Sequence, residues 1–307
     1  YLAWGLTYLA IRVGDRHIPP LLLAGSRYVL AGGLLLPFGL RASRQAAERT
    51  GAAVPALGPR QWLAGGLVGI LLLTIGNGGV TVAETRLPSG LAAVLVATVP
   101  LWMAVFAWPL QNQRVTWRAA AGLAVGLAGV LVLTGGGAAA GHAAGVAIVL
   151  GAALSWGFGS VLSHRLPLPG NALAAAAVEM LVGGGVLLVA AVASGELGRT
   201  HWAAVAPTSW LALAYLVLPG SILAFSAYGY ALSHLPVSTV STYAYVNPVV
   251  AVLAGVVFLR ERVTLAEGVG AALVVGSVMV ILSHAQRSQG IGAGRRAPPE
   301  EPAQGRP

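Results

Sequence analysis

Apolar runs of about twenty residues recur along the chain, each closed by a short stretch carrying Arg, Pro, Gly or His. A helix rises about 1.5 Å per residue, so a run of that length crosses a bilayer core of roughly 30 Å. Read in order, the runs predict ten helices: helix 1 over Tyr1–Val13, helix 2 over Pro20–Leu40, helix 3 over Trp62–Ala83, helix 4 over Pro88–Leu110 and helix 5 over Trp117–Thr134. Helix 6 follows over Ala143–Ser163, helix 7 over Asn171–Ser194, helix 8 over Ser209–Ser233, helix 9 over Pro236–Leu259 and helix 10 over Leu265–His284. Helix 1 is too short to span, and the expectation is that the sequence begins inside it. Residues 285–307 are rich in Arg, Gly, Pro, Gln and Glu and are expected to form a disordered cytoplasmic tail.

The pattern is written twice. Leu87 to Thr134 aligns without a gap on Leu235 to Leu282. The Leu-Pro start (Leu87-Pro88, Leu235-Pro236), the mid-helix proline (Pro100, Pro248) and the Arg-Val-Thr turn (from Arg114, from Arg262) keep one offset. The preceding helices align as well: Trp4-Gly5 with Trp156-Gly157, Arg27 with Glu179, and Gly32-Gly33 with Gly184-Gly185. The units are residues 1–134 and 143–284. Each holds five helices, an odd number, so the second enters the bilayer from the opposite side. The expected fold is an all-α membrane protein of ten transmembrane helices in two inverted five-helix repeats, a plan used by many transporters.

Composition narrows the chemistry. Hydrophobic residues make up 57% of the chain and charged residues 9%. There is no cysteine, which excludes disulfides, thiolate metal sites and thiol nucleophiles. There is no lysine, which excludes a Walker-type phosphate loop and Schiff-base chemistry. Asp15 is the only aspartate, so Asp-rich magnesium sites are absent. No cofactor or metal is expected. The net charge of +9 comes from arginines in loops beside helices, which points to membrane orientation and not to nucleic acid. With the N-terminus inside, the cytoplasmic side receives Arg41, Arg44, Arg49, Arg60, Arg114, Arg118, Arg165 and the tail arginines. The outside receives Arg12, Arg16, Arg86, Arg199, Arg260 and Arg262. The imbalance places both termini in the cytoplasm of a cell bounded by this membrane.

Gly76-Asn77 in helix 3, the Leu-Pro-Ser-Gly-Leu-Ala-Ala start of helix 4, Tyr245-Val246-Asn247-Pro248 in helix 9 and the Arg-Glu-Arg turn from Arg260 form an ordered set over residues 1 to 284. This set resembles a duplicated EamA-type exporter of the drug/metabolite transporter superfamily. The resemblance implies ten helices, both termini inside the bacterial inner membrane, and export of amino acids, including aromatic ones, or of toxic compounds. It also implies a glutamate in both repeat turns. Here Gln113 stands where the second repeat has Glu261, which argues against a direct part for that glutamate in transport chemistry.

A transporter needs a polar or aromatic path through an apolar body. Trp4 and Tyr8 lie four apart, on one face of helix 1. Trp156 takes the matching place in helix 6. Asn77, Trp102, Tyr228, Tyr230, Tyr243 and Asn247 lie inside helices 3, 4, 8 and 9. These nine residues are the candidate substrate-binding set, the aromatics for an apolar side chain and the amides for polar groups. The competing assignment of the aromatics is a membrane-interface belt, and that of the amides a helix–helix hydrogen bond. Pro100 and Pro248 each remove a helical hydrogen bond, which makes them candidate gating kinks or fixed packing kinks. Arg27 and Glu179 are the charges well inside spans, each costing about 2.5–3.5 kcal/mol or more if isolated at mid-bilayer. Their depths allow an ion pair facing the bundle interior. A proton-coupled carboxylate at Glu179 is the alternative. Glu84 and Arg86 are expected in a solvated loop at the outer mouth, and the six histidines at helix ends. Helices 5 and 10, apolar all round with small residues at Gly122, Gly126, Ala272 and Gly276, suit scaffold or a homodimer contact.

The leading function is a secondary exporter of small metabolites, most plausibly amino acids including hydrophobic and aromatic ones, by alternating access. Drugs, nucleosides and sugars are the alternative cargo. A remote alternative is an intramembrane enzyme with Ser160 of Gly157-Phe158-Gly159-Ser160 as nucleophile and His164 four residues on.

Overall fold

The computed structural model describes residues 2–51, 57–111, 117–135, 143–228, 243–265 and 268–279, and among these there is no strand. The helices in chain order are α1 (Leu2–Gly5 and Thr7–Gly14, meeting at Leu6), α2 (Pro20–Thr50), α3 (Pro59–Glu84), α4 (Ser89–Gln111) and α5 (Trp117–Gly135). They continue with α6 (Ala143–Ser163), α7 (Ala172–Ala193), α8 (Pro207–Tyr228), α9 (Tyr243–Leu259) and α10 (Gly268–Met279). Six of them, α2, α3, α4, α6, α7 and α8, are long and apolar enough to cross a membrane. Residues 280–307 and the whole α8–α9 connection, residues 229–242, lie outside the described residues.

α2 is ten residues longer at its end than the apolar run suggests. It continues through the polar stretch Arg41–Thr50 and stops where Gly51 turns left-handed at φ 65° and its N–H reaches the Ala47 carbonyl. α3 starts early, at Pro59, because Gln61 folds back to accept the Gly58 N–H at 3.1 Å. Both departures come from local capping, which hydropathy does not see.

The seam between α2 and α7 is built on glycine. Gly25, Gly32 and Gly39 recur every seven residues on one face of α2 and lie against the Leu188, Leu181 and Ala174 backbone of α7. Gly69 of α3 meets Gly183 and the Glu179 backbone of α7 in the same way. Apolar side chains gain little by meeting each other in lipid, so close backbone contact is what holds such helices together. Within the chain, Gly126 and Gly129 of α5 lie against Ser277 and Leu273 of α10.

Two helices are capped from elsewhere in the sequence. The start of α2 follows Pro19-Pro20 and has no capping side chain of its own; the Leu22 N–H is accepted by Glu196 at 2.9 Å. The start of α4 follows Leu87-Pro88. There the Glu261 carboxylate accepts the Ser89 N–H at 2.9 Å, the Ser89 hydroxyl at 3.0 Å and the Gly90 N–H at 3.2 Å. A carboxylate at a helix N-terminus satisfies orphan donors and meets the positive end of the dipole. α7, by contrast, is capped by its own Asn171.

Candidate functional site

α3 and α8 each change pitch partway. α3 is π-helical over Ile70–Gly78 and α8 over Leu218–Leu223. A π-stretch offsets the backbone ladder and re-aims the groups it carries. In α3 it carries Asn77, and in α8 it presents the Gly220 carbonyl and the Ser221 hydroxyl. The second stretch contains Pro219, whose missing N–H weakens the regular ladder.

Between α1, α2, α3, α4, α6, α8 and α9 lies a cavity of about 110 Å³. Its wall is aromatic and apolar at Trp4, Tyr8, Trp156, Phe225, Pro100 and Pro248, and polar at Asn77, Asn247 and Arg27. Trp4 packs edge-on to Phe225 at 5.6 Å between ring centroids and against Tyr228 at 5.4 Å. The volume is of the order of cavities that hold a benzene ring, about 150 Å³. Asn247 has a buried side-chain oxygen with no partner among the described residues. An amide in that position is costly unless something supplies a donor.

Arg27 is buried on α2, 4% exposed. Its Nε donates to Ser221 Oγ at 2.9 Å and its Nη2 to the Gly220 carbonyl at 3.1 Å. The guanidinium is therefore aimed by α8, and the expected ion pair with Glu179 is not formed. Glu179 lies on α7 with its backbone against Gly69 and is absent from the cavity wall. The physical reason is the π-stretch, which offers Arg27 two acceptors of its own, the Ser221 hydroxyl and the Gly220 carbonyl.

Of the other candidates, Trp4, Tyr8, Asn77, Trp156 and Asn247 share the cavity with Pro100 and Pro248. Tyr228 reaches it through Trp4. Trp102 does not line it; its Cβ and backbone lie against Gly157 of α6, and its buried indole N–H has no partner among the described residues. Tyr230 and the Tyr243 side chain lie outside the described residues. Phe225 and Thr7 were not singled out by sequence, although Phe225 stands three before Tyr228 on one face of α8. His164 bonds the Ser160 carbonyl at 2.9 Å, which leaves it unplaced as a base for the Ser160 hydroxyl.

The bundle end that carries Asp15, Glu84 and Glu261 is shut. Ile11, Ile18, Leu87, Leu91 and Ala92 are buried there. Glu84, expected in a solvated loop, is 0% exposed, and only Thr85 and Arg86 beyond it reach solvent. Its burial is imposed by packing: α1 lies over the end of α3, and Arg12 Nη1 donates to the Glu84 backbone carbonyl. Burial also pushes the Asp15 carboxyl up to about 6, against the pull of Arg12 and Arg16. On the same face His17 Nδ1 meets Ser209 Oγ at 3.0 Å, so this histidine is held between α1 and α8 and not simply solvated.

The comparisons with known proteins fit this architecture. The EamA-like transporter family matches twice, over residues 1–135 and residues 143–283. The chain belongs to the EamA-like transporter family. It is thus a multi-pass membrane protein of the drug/metabolite transporter superfamily. This EamA-like chain is 40% identical over 284 residues to the "Uncharacterized inner membrane transporter YedA" of Escherichia coli strain K12, across 92% of this chain and 87% of that one. It is 27% identical to the "Probable amino-acid metabolite efflux pump" of Salmonella typhimurium, across 91% of each chain. A crystal structure at 23% identity superposes with a TM-score of 0.62, covering 93% of this chain and 95% of that chain, a likeness of fold.

Proposed function

We propose that this EamA-like protein exports amino acids with apolar or aromatic side chains across the inner membrane. Two inverted five-helix units alternate access to the central cavity, and both termini lie in the cytoplasm. The observation that carries the substrate class is Arg27 on the cavity wall. Ser221 and Gly220 hold its Nε and Nη2, which leaves Nη1 for a carboxylate. The unpartnered Asn247 oxygen supplies an acceptor for an α-ammonium, and Trp4, Trp156 and Phe225 enclose an apolar side chain. The matched pairs Trp4/Trp156 and Pro100/Pro248 come from equivalent places in the two units and meet at one cavity, which supports alternating access around a shared site. The efflux-pump name of the Salmonella typhimurium relative points the same way. With no lysine for a Walker-type loop, the drive is a gradient or simple facilitation.

The test is counterflow into liposomes holding the purified protein, with a panel of radiolabelled amino acids and their carboxamides. Exchange of phenylalanine, tryptophan or leucine with weak exchange of the carboxamides is the expected result. Equal exchange of acids and amides, or exchange of nucleosides, sugars or cationic drugs alone, overturns the assignment.

A further inference from the structure

We propose that Glu84 is the proton-binding residue that couples this transporter to a pH gradient, holding a proton while the Asp15 end of the bundle is shut. The proposal rests on the exporter reading above. Glu84 is fully buried, and neither carboxylate oxygen has a hydrogen-bond partner among the described residues. An ionised carboxylate stripped of water and of donors is among the costliest groups a protein can enclose, and the neutral acid is far cheaper.

The groups facing Glu84 do not relieve this. They are Arg12 and Asp15 at the end of α1, Arg27 on α2 and Glu261 on the α9–α10 turn. Arg16 acts on Asp15, so only Arg12 and Arg27 act on Glu84 itself, against two carboxyl neighbours. Arg12 gives Nη1 to the Glu84 backbone carbonyl and not to its carboxylate. Arg27 is turned to Ser221 and Gly220. Glu261 is held by the donors of Ser89 and Gly90, which suit its charged form. Asp15 keeps one buried carboxylate oxygen without a partner among the described residues. Among the described residues no three His, Asp or Glu side chains converge as metal ligands.

Position links the proton to the cargo. α3 carries Asn77 and Val80 on the cavity wall, and Glu84 follows one turn beyond Val80 on the same face. Motion of α3 that opens the end wets Glu84 and moves the wall together. The step balances simply. With the end open, the carboxylate takes one proton from that side. Closure buries the neutral acid, and the proton leaves when water entering the cavity from the other side passes Val80, reaches Glu84 and accepts it.

The chain has no cysteine, so one introduced as Ala93→Cys, on the cavity wall behind the shut end, reports opening without substrate. Labelling by a membrane-impermeant maleimide added on the Asp15 side is expected to speed up by as much as roughly tenfold per pH unit as pH rises through the midpoint. With Glu84→Gln the rate is expected to stay slow at every pH, and Glu84→Asp should keep a pH response with a shifted midpoint. Should Glu84→Gln fail to fold, the midpoint shift in Glu84→Asp carries the test. A pH-independent rate in the parent protein, an unaltered pH response in Glu84→Gln, or the same response to added sodium at fixed pH overturns the proposal. In liposomes, the ratio of pH-gradient-driven flux to counterflow is expected to fall to one in Glu84→Gln. If the labelling behaves as described but no amino acid exchanges, the proton site stands and the cargo reading fails.

Discussion

A guanidinium at mid-membrane depth costs about 2.5–3.5 kcal/mol or more unless it is satisfied, and Arg27 is satisfied on two sides by backbone and hydroxyl oxygens of α8. Lysine at this position keeps the charge but not the fork, and one ammonium cannot serve Ser221, Gly220 and a carboxylate with the same geometry. Arg27→Lys is therefore expected to raise the half-saturating amino-acid concentration in counterflow by about 10- to 100-fold, the equivalent of one charge-assisted hydrogen bond. Asp15 makes a second statement at this scale. Its carboxyl sits up near 6 where the unfolded chain has 3.8, so the folded state binds its proton more tightly. The sign follows: this contribution to stability is fully present below about pH 4 and is lost as pH rises to about 6. Thermal melting in detergent across that range is expected to show the decline, and Asp15→Asn to flatten it. The cavity residues were legible in the sequence because Trp4, Tyr8, Asn77, Trp156 and Asn247 are aromatic or amide groups inside apolar runs. Glu84 was not, because only the packing of α1 over the end of α3 distinguishes it from a loop glutamate.

Helices divide the same way. Their existence and order follow from hydropathy, while their ends and pitch do not. α2 overruns its apolar run because nothing stops it before Gly51, and the π-stretches of α3 and α8 show only as Gly76-Asn77-Gly78-Gly79 and Leu218-Pro219-Gly220-Ser221. The glycine seam is the element-scale feature open to a direct check. A Cβ at Gly32 would press on the Ala177 carbonyl and Leu181 of α7, backbone that cannot swing aside. Gly32→Val is expected to destabilise by about 1–3 kcal/mol, the range for overpacked contacts, seen as a lower melting temperature. Gly33, with open space around it, serves as the control, and Gly33→Val should melt within about 0.5 kcal/mol of the parent.

At the scale of the molecule, the two halves are clasped together. Glu261 of the second half caps α4 of the first, and Glu196 of the second caps α2 of the first. Gly255 leaves the room that the Glu261 carboxylate occupies. Glu261→Ala strands the Ser89 and Gly90 donors and is expected to cost about 1–3 kcal/mol, measured by melting. From sequence, Gln113 at the matching place of the first repeat argued only against a part for this glutamate in transport chemistry; its capping role was not legible, since a remote cap leaves no local pattern.

The clasp also bears on how the protein is made. The Gly25-Gly32-Gly39 face of α2 waits for α7, and the start of α4 waits for Glu261, so the first half reaches the bilayer during synthesis with its partner surfaces bare. A chain ended at Gly135 is expected to be cleared by membrane proteases, and supplying residues 143–307 as a separate polypeptide should restore its half-life.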